Sequence, residues 1–464
     1  MTTTNPTPAA IGIESLAAAV RGPVLAGDDP RAAGEITTFN LAVTHRPAVV
    51  VGATSAEDVA AAVAWAARRR LPVAVQSTGH GPVRAADGAV LVTTSRMQGV
   101  TVDPVRRTAT AAAGARWADV VAATAPHGLA PLSGSSSQVG VVGYTLGGGM
   151  GCLSREHGFA ADHVHGVELV TADGRVRRVD DHSDPDLFWA VRGGKGNFGI
   201  VTALEFGLVP VSELYAGSVF FTGGSAAAVL HAFRAWAPTL PEQASTSVAL
   251  MRLPDFEELP APLRGQFVVS LRFAWTGDPA EGERLLAPML AAGEVLIAGV
   301  GPMPYSQADM IHQDPTEPMP AWERGRLLRE LPEEAVDTLL AVAGPDVEIP
   351  LAMVEMRLMG GAMARQPRVP NAVSGRDAAF SLFMVGPLVP GLEDVVPMAG
   401  NGLVEAMSPW LTGTGQLNFL GDALTPEAVA EAWAPETHRR LLEVKEQVDP
   451  DNVFCHGHAL VARA

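Results

Sequence analysis

The chain has 464 residues, of which 47% are hydrophobic and 18% charged, so it is globular and long enough for two or three domains. Its formal net charge of −17 argues against nucleic-acid binding, because phosphates require a basic face. No apolar run approaches the ~18 residues that a membrane span needs.

Two cysteines, Cys152 and Cys455, fit a reducing compartment without disulfides and disfavour a structural zinc site. The N-terminal segment has neither a basic leader nor an uninterrupted apolar core, so we expect no signal peptide. We therefore predict a cytoplasmic protein without a metal, a membrane anchor or a nucleic-acid partner. The oligomeric state stays open.

The first elements along the chain form a βαβ unit. Residues 47–53 predict a buried strand, Ser55 an N-cap, residues 59–70 a helix and residues 71–75 a second strand. His80 then lies in a glycine-bracketed loop at the carboxyl end of that strand, where ligands often bind. Taken alone, it fits a solvated histidine, a metal ligand or a side chain held against a bound molecule.

Further along the chain, short strands and one hairpin alternate with amphipathic helices up to a boundary near Pro210. The hairpin is predicted at 165–180, around Asp173 and Gly174. Residues 211–410 predict a second α+β domain on an antiparallel sheet, and the last segment returns to a regular helix.

A glycine cluster at 139–151 places Gly140, Gly143 and Gly147 on one face if the segment is helical. Each glycine would then cost roughly 0.5–1 kcal/mol relative to alanine, so something must approach the backbone closely. A packed helix and a bound planar cofactor or its phosphates both satisfy that requirement. The spacing fits neither the dinucleotide-binding fingerprint nor the Walker A pattern.

Four motifs in fixed order carry a resemblance to a known family: Gly79-His80-Gly81, the glycine cluster, "DLFWAVRGGKGNFGIVT" (186–202) and "DPDNVF" (449–454). Together they resemble the FAD-linked oxidases of the vanillyl-alcohol-oxidase type, in the berberine-bridge-enzyme-like branch, and in particular its bacterial members with one histidine link. The resemblance covers roughly 30–210 and 410–460.

The resemblance implies an α+β fold: a two-subdomain PCMH-type FAD-binding domain and a substrate domain whose antiparallel sheet is covered by helices. It places the FAD-binding domain at 30–210, the substrate domain at 211–410 and a C-terminal segment completing the first domain at 411–464. His80 matches the histidine bonded to the flavin. The other cofactor-binding residues that it implies are Gln76, Ser77, Thr78, Gly79, Gly81, Ser135, Ser136, Gln138, Val139, Gly140, Gly143, Gly149, Asn197, Gly199, Ile200, Val201 and Asn452.

Several positions depart from the family pattern. Ser136 stands where many relatives carry a second flavin-linking cysteine, so we expect a single attachment through His80. Gln76 replaces a common arginine, and Gln416 replaces a tyrosine that many relatives use as a base. His458 stands where an asparagine or glutamine is usual.

The resemblance implies an oxidase that takes a hydride from a C–H bond next to oxygen or nitrogen of a small, secondary-metabolite substrate and passes the electrons to O₂. A flavin-dependent oxygenase or oxidative cyclase acting on a polyketide is the alternative, and a flavin-binding protein without turnover is a third. Glu355, two residues before Arg357 on a predicted strand, is the first candidate to accept the substrate proton or to fix its charge. A solvated Glu355–Arg357 ion pair is the simpler interpretation. His458 is the reserve base.

Overall fold

The computed structural model describes residues 12–461. Its first sheet has the strand order β1-β2-β4-β3, in which β2, β4 and β3 are parallel and β1 is antiparallel. Ser55 caps the predicted helix by accepting a hydrogen bond from the Asp58 N–H. The elements are β1 (Val24–Ala26), β2 (Val49–Gly52), β3 (Val73–Gln76), β4 (Val90–Thr93), α1 (Glu14–Ala17), α2 (Ala33–Ile36) and α3 (Ala56–Arg68).

A second, antiparallel sheet follows with the order β5-β6-β9-β7-β8. The predicted hairpin is present, and Gly174 takes the left-handed conformation that its turn requires (φ 74°). The elements are β5 (Val100–Asp103), β6 (Thr108–Ala112), β7 (Val164–Val170), β8 (Val176–Val179), β9 (Ile200–Gly207), α4 (Trp117–Thr124), α5 (Val141–Leu146), α6 (Ser154–His157) and α7 (Pro185–Gly194).

The third sheet is antiparallel and has seven strands in the order β13-β10-β12-β11-β15-β16-β14. The elements are β10 (Glu213–Thr222), β11 (Ala244–Arg252), β12 (Phe267–Trp275), β13 (Val295–Pro304), β14 (Ala321–Leu328), β15 (Met353–Leu358), β16 (Phe380–Pro387), α8 (Ala226–Trp236), α9 (Pro279–Leu290), α10 (Glu333–Ala343) and α11 (Val395–Ala406).

The two faces of this third sheet differ in chemistry. One face packs its apolar side chains, among them Leu271, Val354 and Leu382, against the helices in a dry core. Strand alternation turns the intervening residues, which include Arg272, Glu355 and Ser381, to the opposite face. Those polar side chains are buried as well, so this face is covered by the rest of the protein.

The C-terminal segment lies against the first sheet. It contains α12 (Pro426–Ala430) and α13 (Pro435–Val448), and the Val73 N–H at the start of β3 donates to the Val453 carbonyl at 2.8 Å. The buried Lys445 ammonium binds the Asp449 carboxylate and the carbonyls of Asn197 and Phe454. In the described part of the chain, every helix is too short or too polar to cross a bilayer.

Candidate functional site

His80 lies in the loop that follows β3, as the sequence predicts. Its ring stacks on Phe39 with the centroids 4.0 Å apart, and Nδ1 is 2.8 Å from the Thr78 hydroxyl. Burial, reinforced by the Arg116 guanidinium, lowers the pKa of His80 to about 4, so the imidazole is neutral at neutral pH. Nε2 has no hydrogen-bond partner among the described residues. The loop therefore presents a fixed, neutral imidazole with one free ring nitrogen.

The glycines of this loop and of the cluster differ in their surroundings, and a Cβ at Gly79 would come within 2.8 Å of the Thr38 Cα. A Cβ at Gly81 or Gly143 would meet no atom within 4 Å, whereas a Cβ at Gly140 would lie 3.3 Å from the Ser77 hydroxyl. The helical part of the cluster spans only α5, with Gly140 before it and Gly147 at its C-cap. The structure thus brings the 77–81 loop and Gly140 together and leaves a surface without side chains next to them.

Gly149 and Gly199 are surrounded by protein. A Cβ at Gly149 would come within 2.5 Å of the Tyr144 ring, and one at Gly199 within 2.5 Å of the Val170 carbonyl oxygen. The side chains of Ile200 and Val201 fill two apolar cores. Close packing within the protein therefore explains why glycine stands at 149 and 199 and why apolar residues stand at 200 and 201.

Gln76 and Asn197 direct their side chains to protein groups. The Gln76 amide donates to the carbonyls of Glu35 and Thr37, and its oxygen pairs with His45 Nε2. The Asn197 amide donates to the carbonyls of Gly194 and His458 and accepts the Leu460 N–H. Both side chains fix the backbone around the predicted cofactor site.

The segment from Ser135 to Val139 runs between the histidine loop and the third sheet. Ser135 lines a cavity on the polar face of that sheet, and the Ser136 hydroxyl accepts the Gln138 N–H at 3.4 Å. The Gln138 side chain accepts from Arg116. Val139 packs at the edge of the second-sheet core. Asn452, beside β3, has a positive φ of 51° and a buried side-chain oxygen without a partner in the described part of the protein.

Glu355 on β15 is completely buried at the centre of the polar face. Its carboxylate accepts hydrogen bonds from Arg357 Nε at 2.7 Å, Arg272 Nη1 at 3.1 Å and the Ser247 hydroxyl at 2.6 Å. His312 Nε2 lies 3.7 Å away. The simpler interpretation of a solvated ion pair is therefore wrong, because the strand is buried on both faces.

The charge of Glu355 is fixed by its surroundings. Burial favours the neutral acid, but Arg357, Arg272 and the other neighbours outweigh it and hold the pKa of Glu355 well below its ordinary value. A carboxylate with so low a pKa is a weak proton acceptor. Of the two roles predicted for Glu355, the geometry favours fixing charge over accepting the proton.

Gln416 and His458 occupy two further environments. Both polar atoms of the buried Gln416 amide lack partners within the described residues. His458 Nε2 is 2.9 Å from the Gly421 carbonyl oxygen, and burial lowers the pKa of His458 to about 4. The hydrogen-bond partner of the His458 ring thus belongs to the C-terminal segment.

Sequence reasoning missed several residues of the polar face. Arg272 is the only charged residue inside the apolar strand "FVVSLRFAW", a signal that could have singled it out. Ser247 and His312 carry no comparable signal, because isolated serines and histidines are common. Glu323 on β14 shares this face by strand register, and burial together with Asp314 raises its pKa to about 7.

Comparison with known proteins identifies the class of protein. Residues 47–180 match the family model of the FAD binding domain, and residues 417–460 match the model "Berberine and berberine like". The crystal structure of 6-hydroxy-D-nicotine oxidase from Arthrobacter nicotinovorans superimposes with a TM-score of 0.80 and 25% identity over 95% of this chain and 98% of that one. Fold and matched domains thus define a flavoprotein with the PCMH-type FAD-binding fold.

Relatives by sequence agree with this class. The (R)-6-hydroxynicotine oxidase of Paenarthrobacter nicotinovorans is 28% identical over 440 residues, which cover 89% of this chain and 91% of that protein. The FAD-dependent monooxygenase prx3 of Penicillium roqueforti is 34% identical over 195 residues, 41% of this chain and 38% of that protein. The chain thus combines the FAD binding domain with the berberine-like domain and is similar along most of its length to FAD-linked oxidoreductases of the berberine-bridge-enzyme-like type.

The residues present fit a bound FAD. A Cβ at Gly81 or Gly143 would meet no atom, so the backbone there is open to a ligand, and His80 Nε2 has no hydrogen-bond partner among the described residues. The Tyr144 hydroxyl and the Gln416 amide are buried and have no hydrogen-bond partner in the described part of the chain, and a polar cofactor would supply partners for such groups.

Proposed function

We propose that the protein is an oxidase that removes a hydride from a C–H bond next to oxygen or nitrogen of a small secondary-metabolite substrate. When bound, FAD supplies the redox chemistry by accepting the hydride and passing two electrons to O₂, which becomes H₂O₂. The neutral, fixed imidazole of His80 is the observation that supports a covalently held cofactor. The similarity to the Paenarthrobacter nicotinovorans protein named (R)-6-hydroxynicotine oxidase supports the oxidase reaction.

The chain's own residues divide the work between two sides of the site. His80 holds the cofactor in a single attachment, since Ser136 has no thiol, and Gly140 and Gly143 let a planar group approach the backbone. On the other side, Glu355 fixes the guanidinium of Arg357 toward the cavity, where it orients the substrate. Val139 leaves room for O₂ beside the segment that passes the flavin.

A cytoplasmic location is part of this proposal. The free thiols of Cys152 and Cys455 support it, because such thiols persist in a reducing compartment.

Acid precipitation tests the cofactor assignment. The unaltered protein should keep its yellow colour in the acid pellet, and His80→Ala should release all flavin to the supernatant. His182→Ala serves as the matched control, because the side chain of that histidine is 91% exposed. Flavin that washes out of the unaltered protein in acid would contradict the covalent link.

An oxygenase or oxidative cyclase is the second candidate, and the similarity to the monooxygenase prx3 favours it over the non-catalytic alternative. The two reactions differ in the fate of oxygen. An oxidase yields one H₂O₂ for each substrate oxidised, whereas an oxygenase incorporates ¹⁸O from ¹⁸O₂ into the organic product. Label in the product together with no H₂O₂ would replace the first proposal by the second.

A further inference from the structure

The polar face of the third sheet borders a cavity whose lining is strongly basic. It lies between the 150–155 segment and strands β11, β12 and β15, where about 40 Å³ admits the centre of a water-sized sphere and the surrounding atom-free space of about 460 Å³ includes open solvent. Arg155, Arg272, Arg357, His312 and Ser247 line it, together with Ser135 from the segment next to the predicted flavin position. A group bound here would therefore lie beside the cofactor.

We propose that this cavity binds a carboxylate group of the substrate, so that the enzyme acts on small organic acids. This inference rests on the proposed function for the reaction, and adds the chemical class of the substrate.

Arg357 supplies the donors for such a group. Its Nε is used by Glu355, while neither Nη group has a hydrogen-bond partner among the described residues. The side chain is 13% exposed, and the guanidinium carbon lies 5.7 Å from the centre of the Phe419 ring. A guanidinium held at Nε and flanked by an aromatic ring offers a pre-oriented edge for two hydrogen bonds to a carboxylate.

Two further arginines add charge and unused donors. Arg155 Nε and Arg272 Nε are both buried without a partner in the described structure. Arg155 binds the carbonyls of Met359 and Leu240 through its Nη groups and contacts no carboxylate within residues 12–461. A buried donor without a partner is destabilising, and a nearby anion would offset part of that cost electrostatically.

The charge balance around the cavity favours an anion. Three guanidinium groups face one directly bonded carboxylate, that of Glu355. Asp314, on the loop after β13, contributes a second negative charge nearby. Burial and Arg357 lower the pKa of His312 to about 4, so that ring is neutral at neutral pH. Glu323 on the same face has a pKa raised to about 7, so it carries only part of a negative charge at neutral pH. The cavity therefore keeps a net positive charge, which attracts an anion.

A purely structural role would use these arginines differently. Glu355 alone neutralises one guanidinium, and a single Arg–Glu pair would satisfy a buried strand at lower desolvation cost. The second and third arginines with unused donors need a further acceptor. A ligand carboxylate bonded to the Nη groups of Arg357 would add the negative charge that the three guanidinium groups lack.

Calorimetric titration of the FAD-loaded protein with matched acid and amide pairs tests the proposal. The probes are benzoate with benzamide, salicylate with salicylamide, and 2-naphthoate with 2-naphthamide. At least one acid should bind about tenfold more tightly than its amide, the worth of a charge-assisted hydrogen bond. The absence of this preference in all three pairs, including the absence of binding, overturns the proposal.

Variants assign the preference to the cavity. Arg357→Met should abolish the preference for the acid, and Arg357→Lys, which keeps the charge next to Glu355, should reduce it. Arg365→Met is the control, because Arg365 is exposed and pairs with the exposed Glu242. A preference that survives in Arg357→Met overturns the proposal.

If Arg357→Met does not fold, the comparison rests on Arg357→Lys and on Arg155→Met, which leaves the Glu355 pairs intact. If the preference for the acid is unchanged in both of these variants, the proposal is overturned.

Flavin retention separates this inference from the proposed function. Acid-stable flavin should be the same in Arg357→Met, Arg357→Lys and the unaltered protein. Loss of flavin in these variants would mean that Arg357 holds the cofactor, which overturns the substrate-carboxylate assignment alone. Failure of the His80 experiment with an intact acid preference would contradict only the covalent link.

Discussion

Replacing Glu355 by glutamine removes a buried carboxylate that is bonded to two guanidinium groups. Glu355 is 0% exposed and accepts from Arg357 at 2.7 Å and Arg272 at 3.1 Å. Loss of one partner from a buried ion pair costs about 3–5 kcal/mol, because the remaining charge stays buried without compensation. If the substrate-domain sheet unfolds as a unit, this corresponds to a fall of roughly 6–20 °C in Tm.

Differential scanning fluorimetry of Glu355→Gln measures this fall, with Glu242→Gln as the matched control. Glu242 pairs with Arg365 on the surface, with side chains 45% and 59% exposed, so its loss should cost at most about 1 kcal/mol. Equal Tm values for the two variants would refute the idea that Glu355 compensates buried charge.

Kinetics of the same variant distinguish charge fixing from proton abstraction. A lost general base slows flavin reduction by about 10²-fold or more, with an effect that depends on pH. A lost anchor for Arg357 weakens substrate binding instead. Rapid-mixing reduction of Glu355→Gln at several pH values decides between them: an unchanged limiting rate with weaker binding favours the anchor.

The pH dependence of stability has a definite sign. Because the pKa of Glu355 is depressed in the folded protein, its stabilising contribution is complete above the unfolded-state pKa of about 4.3. That contribution is lost progressively as the pH falls below this value toward the depressed native pKa. The Tm difference between the unaltered protein and Glu355→Gln should therefore be constant from pH 6 to 8 and shrink below about pH 4.3. A difference that grows with acidification would contradict this assignment.

Two further predictions concern the segment that passes the flavin. Ser136→Cys should fold normally, since the one hydrogen bond of the Ser136 hydroxyl within the described residues is long, at 3.4 Å. A second link to the flavin should then join both peptides in mass spectrometry. A free thiol at position 136 would contradict the prediction that this position faces the flavin ring. Val139→Leu should slow reoxidation of the reduced flavin by O₂ more than its reduction by substrate, and equal slowing would exclude a gate for oxygen.

Local sequence signals predicted much of the fold. The Ser55 cap, the turn at Gly174 and the position of His80 after β3 each depend on residues close together in the chain. Side-chain periodicity and backbone preferences act over a few residues, so the sequence is sufficient for them. The motif order likewise sufficed to predict an FAD-linked enzyme with a PCMH-type fold, which the comparisons confirm.

Tertiary structure decided what the side chains do. Glu355 meets Arg272 and Ser247 only because β15, β11 and β12 are neighbours in one sheet, although these residues are 83 and 108 positions apart from it. Gln76 matches a family position by sequence, yet only the folded chain brings the Thr37 carbonyl within reach of its amide. Hydrogen-bond partners and pKa values depend on such long-range contacts and on burial, which no local pattern contains. The sequence by itself therefore determined the class of cofactor and the place of His80, whereas the folded sheet decided that Glu355 is a fixed anion facing a basic cavity.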